Sequence, residues 1–371
     1  MYYHLILTDD CNLCCTYCRG KDFEENDIPE TEVAVDSDIP PDLSYDLPDL
    51  YRFLRRDPEP VLTFYGGEPL LRIALIQEII DDAPACRFML QTNGVLLDRL
   101  DPSYAGRFSA MFISIDGPEA LTNAHRGAGV YRRVMENVRG MRRAAPAPEM
   151  IARMTITENT DIYSAVLHCA DLPDRPFDAV HWQIDANFWG DWSRRSFARW
   201  AEECYNPGIR RLVGEWLERM ETGRVERWYP FLGCMADLLE GTESALRCGC
   251  GSACYTIMTD GRIVPCPCMV GMNDYYLGDI RTARPDRLPV VAIGGECASC
   301  DLLGFCGGRC LYSNVLRPWP PEGRAAVCGT VRNLHEALTE VLPRVRRLIR
   351  EGTVGADAFA YERYNGAEII P

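Results

Sequence analysis

Residues 8–20 read TDDCNLCCTYCRG, with cysteines at positions 11, 14, 15 and 18. They follow YYHLILT, residues 2–8, an apolar run with the length and composition of a buried strand. The purpose of such a loop at the end of a first strand decides how the rest of the chain is read. Free cysteines pack singly in cores as small hydrophobes, so four in eight residues need another account. Cys11, Cys15 and Cys18 leave three residues in the first gap and two in the second. Three thiolates on one loop can hold three irons of a four-iron cluster and leave the fourth open, and an open metal position is a reactive one. Zinc is the other reading. It needs a fourth ligand, and the only nearby histidine, His4, lies inside the strand. Cys14 is surplus to the three-ligand scheme, a small side chain in a crowded loop.

Beyond the loop the chain alternates strand and helix. Strand-like runs are VLTFYGG (61–67), RFMLQTNG (87–94), AMFISIDG (110–117), EMIARMTIT (149–157) and AVHWQID (179–185). Helical periodicity fills 46–57, 74–83, 129–144 and 161–171 between them. This alternation predicts an α/β fold with parallel strands. Most strands run into Gly, Asn, Asp or Thr, the strand ends where such folds gather their active sites. Six units are too few for a closed barrel, so a partial (β/α)6 barrel is expected. EENDIPETEVAVDSDIPPD (24–42) reads as a solvated surface loop. After about residue 190, helices at 197–205, 208–223 and 331–352 flank a Cys-, Gly- and Pro-rich stretch with little core of its own. The expected divisions are a barrel over 1–220, a linker or bridge over 221–247, a loop-dominated cysteine-rich domain over 248–335, and a C-terminal helix and tail over 336–371.

The chain has 371 residues, 47% of them apolar, and a net charge of −15. Such a surface repels nucleic-acid backbones and anionic membranes. There is no basic start followed by a long apolar run, and no stretch of membrane-spanning length. The expectation is a cytoplasmic protein whose thiols stay reduced. Eighteen cysteines there point to metal or clusters. Cys86, Cys169, Cys204 and Cys234 stand alone; the groups at 11–18, 248–268 and 297–328 do not.

CNLCCTYC after a first strand resembles the signature of radical S-adenosylmethionine (SAM) enzymes, including the aromatic Tyr17 before the last cysteine. FYGGEP (64–69) resembles that family's GGE motif. The resemblance implies that Cys11, Cys15 and Cys18 hold a [4Fe-4S] cluster whose open iron chelates SAM. It implies further that Gly66, Gly67 and Glu68 serve the SAM amino group, and that Ser114 and Arg126 face its carboxylate. A solvated arginine at a helix start fits Arg126 equally well. Trp182 and Gln183 are candidates to line the adenine or substrate side, with a core role as the alternative. Asp116, Glu68 and Asp185 sit at strand ends as candidates for a general base, and nothing singles one out.

CGCGSACYTIMTDGRIVPCPC (248–268), CASCDLLGFCGGRC (297–310) and Cys328 resemble the SPASM domain of peptide-modifying members of the same family. That resemblance implies two auxiliary [4Fe-4S] clusters. One takes Cys248, Cys254, Cys266 and Cys310; the other takes Cys297, Cys300, Cys306 and Cys328. Cys250 and Cys268 are spares that can exchange with a neighbour. A pair of structural zinc sites also fits the C-x-x-C spacing.

The implied activity is reductive cleavage of SAM to a 5′-deoxyadenosyl radical, then hydrogen abstraction from a peptide residue. The leading expectation is an oxidative thioether, C–C or C–O crosslink in a ribosomally made peptide, with a ferredoxin or flavodoxin as electron donor. Only ten residues precede Cys11, so leader recognition is expected elsewhere or not at all. Formylglycine formation, as in anaerobic sulfatase maturases, ranks second. Those enzymes carry a catalytic Asp after the cysteine matching Cys266, where this chain has Pro267. A non-catalytic iron–sulfur electron carrier is a reading of another class, and would need neither an open iron nor a barrel.

Overall fold

The computed structural model describes residues 1–18, 34–84, 86–144, 148–185 and 192–363. Six parallel strands, β1 (Tyr2–Thr8), β2 (Val61–Gly66), β3 (Arg87–Thr92), β4 (Phe108–Ser114), β5 (Glu149–Ile156) and β6 (Ala179–Ile184), lie side by side in chain order. Helices or 3₁₀ turns, such as Ile73–Asp82, Val130–Ala144 and Ile162–Ala170, lie between successive strands. A C-terminal segment extends the same sheet. Strand β7 (Cys254–Ile257) pairs parallel to β1, and β8 (Arg262–Val264) and β9 (Gly278–Asp279) follow antiparallel. The sheet runs β6-β5-β4-β3-β2-β1-β7-β8-β9 and does not close, so the architecture is a partial barrel.

The two faces divide cleanly, because side chains alternate along a strand. Outward residues such as Leu5, Phe64, Leu90, Met111, Met154 and Trp182 pack under the helices in the main core. Inward residues form two layers. Val61, Met89, Phe112, Ile151 and Ala179 make an apolar floor together with Tyr229. Above it, His4, Tyr65, Gln91, Ser114, Arg153 and Gln183 line a cavity. A strand that is apolar on both faces at its start and polar inward at its end is what a plugged barrel with a site at its mouth requires.

Three expectations change. The segment 221–247 is no linker. It holds the helix Tyr229–Glu240, buried from Tyr229 to Asp237, which plugs the floor against Tyr229's inward neighbours. The cysteine-rich region has a small core of its own, in which Leu246, Met269, Met272, Leu311, Tyr312 and Leu316 pack with Cys248, Cys250 and Cys266. The last long helix runs unbroken from Pro321 to Arg350, through the division expected at 335.

The acidic stretch 24–42 lies partly outside the described residues, as does the tail from 364. Its described end is not simply solvated: the Asp36 carboxylate takes Arg262 at 2.6 Å, and the Asp36 N–H donates to the Gly271 carbonyl.

Candidate active site

The cysteine loop is held by backbone contact with the end of β2. The Gly67 N–H donates to the Thr8 carbonyl at 2.8 Å and the Glu68 N–H to the Asp10 carbonyl at 2.7 Å. A Cβ on Gly67 would lie 2.2 Å from the Asp10 carbonyl oxygen, and Gly66 has a φ of +139°. The glycine pair therefore exists first for the approach of the chain's own loop. Both glycines also line the cavity. Asn93, at the end of β3, donates to Asn12 Oδ1 at 2.7 Å and reaches the Cys11 sulfur at 3.8 Å. The Thr16 N–H is held by the His125 carbonyl at 2.9 Å.

This scaffold turns Cys11, Cys15 and Cys18 toward one cavity of about 340 Å³, and leaves the exposed Cys14 outside its lining. Burial pushes the Cys15 thiol up to about 11, with the charges of Cys18 and Cys11 adding, and burial raises Cys11 as well, with those of Glu68 and Cys18 adding. As free thiols they stay protonated; a cluster takes them as thiolates and releases those protons. Three sulfurs on one loop, facing a shared cavity, suit a four-iron cluster with one open iron.

Glu68 does not reach the cavity. Its carboxylate is fully buried and takes Leu70 N–H, Thr92 Oγ1 at 2.7 Å and the Asn93 N–H at 2.8 Å. Burial outweighs these donors and raises its pKa. Its work is to tie β2 to β3, and because it is off the cavity lining it is not placed for the ammonium contact or the general-base role expected for it.

Asp116 is also consumed. Arg126 binds it through both Nε and Nη2 at 2.9 Å, Tyr17 Oη donates at 2.8 Å, and the Thr155 N–H at 3.0 Å. Burial opposes its ionisation, but the Arg126 charge and the donors around it bring it down to about 2. It is a buried counter-ion and not a base. Arg126 closes the helix Glu119–Arg126 instead of starting the next, stays buried, and lies 5.3 Å from the Tyr17 ring centroid. Arg126, Tyr17 and Ser114 all line the cavity.

Trp182 and Gln183 are successive strand residues and cannot share a face. Gln183 lines the cavity, while Trp182 is fully buried on the helix side, edge-on to Phe231 at 5.1 Å between centroids. Trp182 is core. Asp185, just past β6, is the one of the three candidate carboxylates that lines the cavity.

The far wall of the same cavity is made by the C-terminal region: Cys248, Cys250, Cys266, Pro267, Cys268 and Cys310. Cys254 lies behind them, its sulfur 3.2 Å from His4 Nδ1. Cys250 is no distant spare. Its thiol lies within hydrogen-bonding reach of Cys248, Cys254 and Cys266, which raises Cys250, while Cys250 and His4 together lower Cys254 to about 6. A second, smaller cavity of about 120 Å³ is lined by Cys297, Cys300, Cys306 and Cys328. Arg309 and Cys310 line both cavities. Tyr65, Gln91, Arg153 and Thr155 went unnoticed in the sequence. Each follows from counting back in twos along a strand from its loop, which gives the inward face.

Residues 5–160 match the radical SAM superfamily. A stretch of 144 residues is 30% identical to the AdoMet-dependent heme synthase of Methanosarcina barkeri (strain Fusaro / DSM 804), spanning 37% of this chain and 38% of that protein. Among solved structures, native anSMEcpe with bound AdoMet is similar over 94% of this chain and 100% of its own, with 17% identity and a TM-score of 0.69. Streptococcus suis SuiB bound to S-adenosylmethionine is similar over 85% of this chain and 74% of its own, with 15% identity and a TM-score of 0.52. Likeness at those identities is likeness of fold. The stretch that matches the radical SAM superfamily, residues 5–160, is the one that carries the cysteine loop and the polar strand ends around it.

Proposed function

We propose that this chain is a radical SAM peptide-modifying enzyme with two auxiliary clusters. The observation that carries the reading is a single cavity walled on one side by the three-cysteine loop and on the other by Cys248, Cys266 and Cys310. A structure of native anSMEcpe with bound AdoMet and Cp18Cys peptide is similar over 93% of this chain and 98% of its own, with a TM-score of 0.68 and 17% identity, which supports a peptide as the substrate class.

In this reading Cys11, Cys15 and Cys18 hold the first [4Fe-4S] cluster. Tyr17, the backbone of Gly66 and Gly67, Ser114 and Arg126 hold SAM. Cluster and SAM together supply one-electron chemistry that ends in hydrogen abstraction from an unactivated C–H bond. The chain's residues orient the substrate above a floor sealed by Tyr229 and keep water out. Cys248, Cys254, Cys266 and Cys310 hold one auxiliary cluster, with Cys250 against them as an alternative ligand; Cys297, Cys300, Cys306 and Cys328 hold the other. With four thiolates each, they suit uptake of the electron that crosslink formation releases. Asp185 is the proton acceptor for that closure, because it alone of the three carboxylates faces the cavity. The product is a thioether, C–C or C–O crosslink, and the reductant is of ferredoxin or flavodoxin type in the cytoplasm. At the place where formylglycine formation would need a base, Pro267 lines the wall and accepts no proton.

Anaerobic reconstitution tests the reading. About twelve irons per chain are expected for three four-iron clusters. Reduction with dithionite in the presence of SAM is expected to yield 5′-deoxyadenosine. A fully loaded protein that forms none would overturn it.

A further inference from the structure

Arg153 lies on the inward face of β5, in register with Ser114 on β4 and His181 on β6. Only 9% of it is exposed, and it opens on the cavity. Its guanidinium donates to His181 Nδ1 at 2.9 Å and to Gln183 Oε1 at 2.9 Å. Both acceptors are neutral. A His181 Nδ1 that accepts must carry its proton on Nε2, and burial beside the Arg153 charge holds this imidazole well below its ordinary pKa. Among the described residues no carboxylate pairs with Arg153. Arg126 is just as buried, yet it has Asp116 as a bidentate partner. A buried charge without a counter-charge is costly, and a protein keeps one where a ligand supplies the anion.

The two arginines have different neighbours. Arg126 sits among Asp116, Tyr17 and Cys15, at the cysteine loop. The charges that act on Arg153 are those of Tyr65 at the end of β2, of Cys248 and Cys268 on the C-terminal wall, and of Arg126 itself. An anion at Arg153 therefore also faces Cys248 and Cys268 of the C-terminal wall. A planar fork held from behind by two neutral acceptors, with N–H donors remaining, matches a carboxylate.

We propose that Arg153, backed by His181 and Gln183, anchors a carboxylate of the substrate, so that the modified peptide residue lies beside an acidic side chain or a free C-terminus. The proposal rests on the peptide-modifying reading and adds to it the substrate's charge.

The test uses N-acetylglutamate and N-acetylglutamine as probes, titrated calorimetrically into the full chain loaded with clusters and SAM. The glutamate probe is expected to bind, and the amide probe to bind at least about tenfold more weakly, as loss of a charge-assisted pair implies. In Arg153→Gln that preference disappears; in Arg153→Lys part of it remains. Arg153→Met is the folding control, expected to be at least as stable as the parent because a buried charge is removed. A preference that survives in Arg153→Gln overturns the proposal. So does a tenfold loss of SAM affinity with the preference intact, which assigns the carboxylate to SAM. So does a shift confined to the midpoint potential of a C-terminal cluster, which makes Arg153 its counter-ion. Failure of the enzymatic reading is seen separately. If the parent forms no 5′-deoxyadenosine but shows a preference that Arg153→Gln abolishes, the anchor stands and the radical chemistry falls.

Discussion

Asp116, paired with Arg126, shows how a residue can build a site without acting in it. The pair is buried, bidentate, and capped by the Tyr17 hydroxyl, so it ties the cysteine loop to the ends of β4 and β5. Removing one partner strands the other charge, which typically costs about 3–5 kcal/mol. Asp116→Asn is therefore expected to lower stability by that order in denaturant titration at neutral pH. The pH dependence follows in sign. The folded pKa of about 2 lies below the ordinary 3.8. The contribution is thus complete above pH 3.8 and lost as pH falls through 2. The Asp116→Asn protein should lack that portion of the acid limb.

At Asp185 the expectation is different: Asp185→Asn should leave 5′-deoxyadenosine formation near that of the parent and slow crosslink formation by about 10²–10⁴, the range for a lost general base. Mass spectrometry of the peptide and of 5′-deoxyadenosine separates the two. Equal loss of both would remove Asp185 from that role. Cys14→Ala and Cys15→Ala form the matching pair for the cluster: the first should keep the N-terminal cluster, and the second should lose it while retaining about eight auxiliary irons.

At the scale of the element, what mattered was the face of each strand, and this was only half legible. The apolar runs announced six strands, and their Gly- and Asn-rich ends announced the mouth of a barrel. Periodicity also contained the inward face. Trp182 and Gln183 cannot both point at a ligand, and Gln183, in step with Thr155 and Arg153, is the one that does. Glu68 and Asp116 could not be resolved this way. A carboxylate at a strand end looks the same in sequence whether it faces a ligand or caps its neighbours, and the donors that consume it come from β3, β5 and the helix after β4. Helix Tyr229–Glu240 was missed because it is apolar on every side. Such a run lacks the amphipathic signal, since it is buried all round.

The β2 end gives the prediction at this scale. A Cβ at Gly67 meets the Asp10 and Asp9 carbonyl oxygens at 2.2 and 2.4 Å, both backbone, so the loop must move. Gly67→Ala should fold, retain the C-terminal irons, and lose about a third of total iron, the share of one cluster in three.

Across the whole molecule, the barrel and the cysteine-rich region are one body. Strand β7 covers the β1 edge along Tyr2–Leu5, so the hydrogen bonds that end the barrel's sheet are completed by residues 254–257. Left bare, that edge would be an unpaired template of backbone donors and acceptors. The helix Pro321–Arg350 returns from the second cysteine group to the barrel side, where Arg210 reaches Glu336 and Glu340 at 2.9 Å and Asn333 at 2.8 Å. The barrel floor depends on Tyr229, which the chain supplies only after leaving β6. Sheet, floor and flank are therefore each completed by the later half of the chain, so the main core is shared between the two halves. Unfolding of the cluster-free, reduced protein should follow one cooperative transition. Tryptophan fluorescence, to which Trp182 and Trp216 in the barrel's helix layer contribute, should share its urea midpoint with the thiol reactivity of Cys254 on β7. If Cys254 becomes reactive at clearly lower urea than the fluorescence midpoint, β7 is a detachable strap and the two regions are separate folding units.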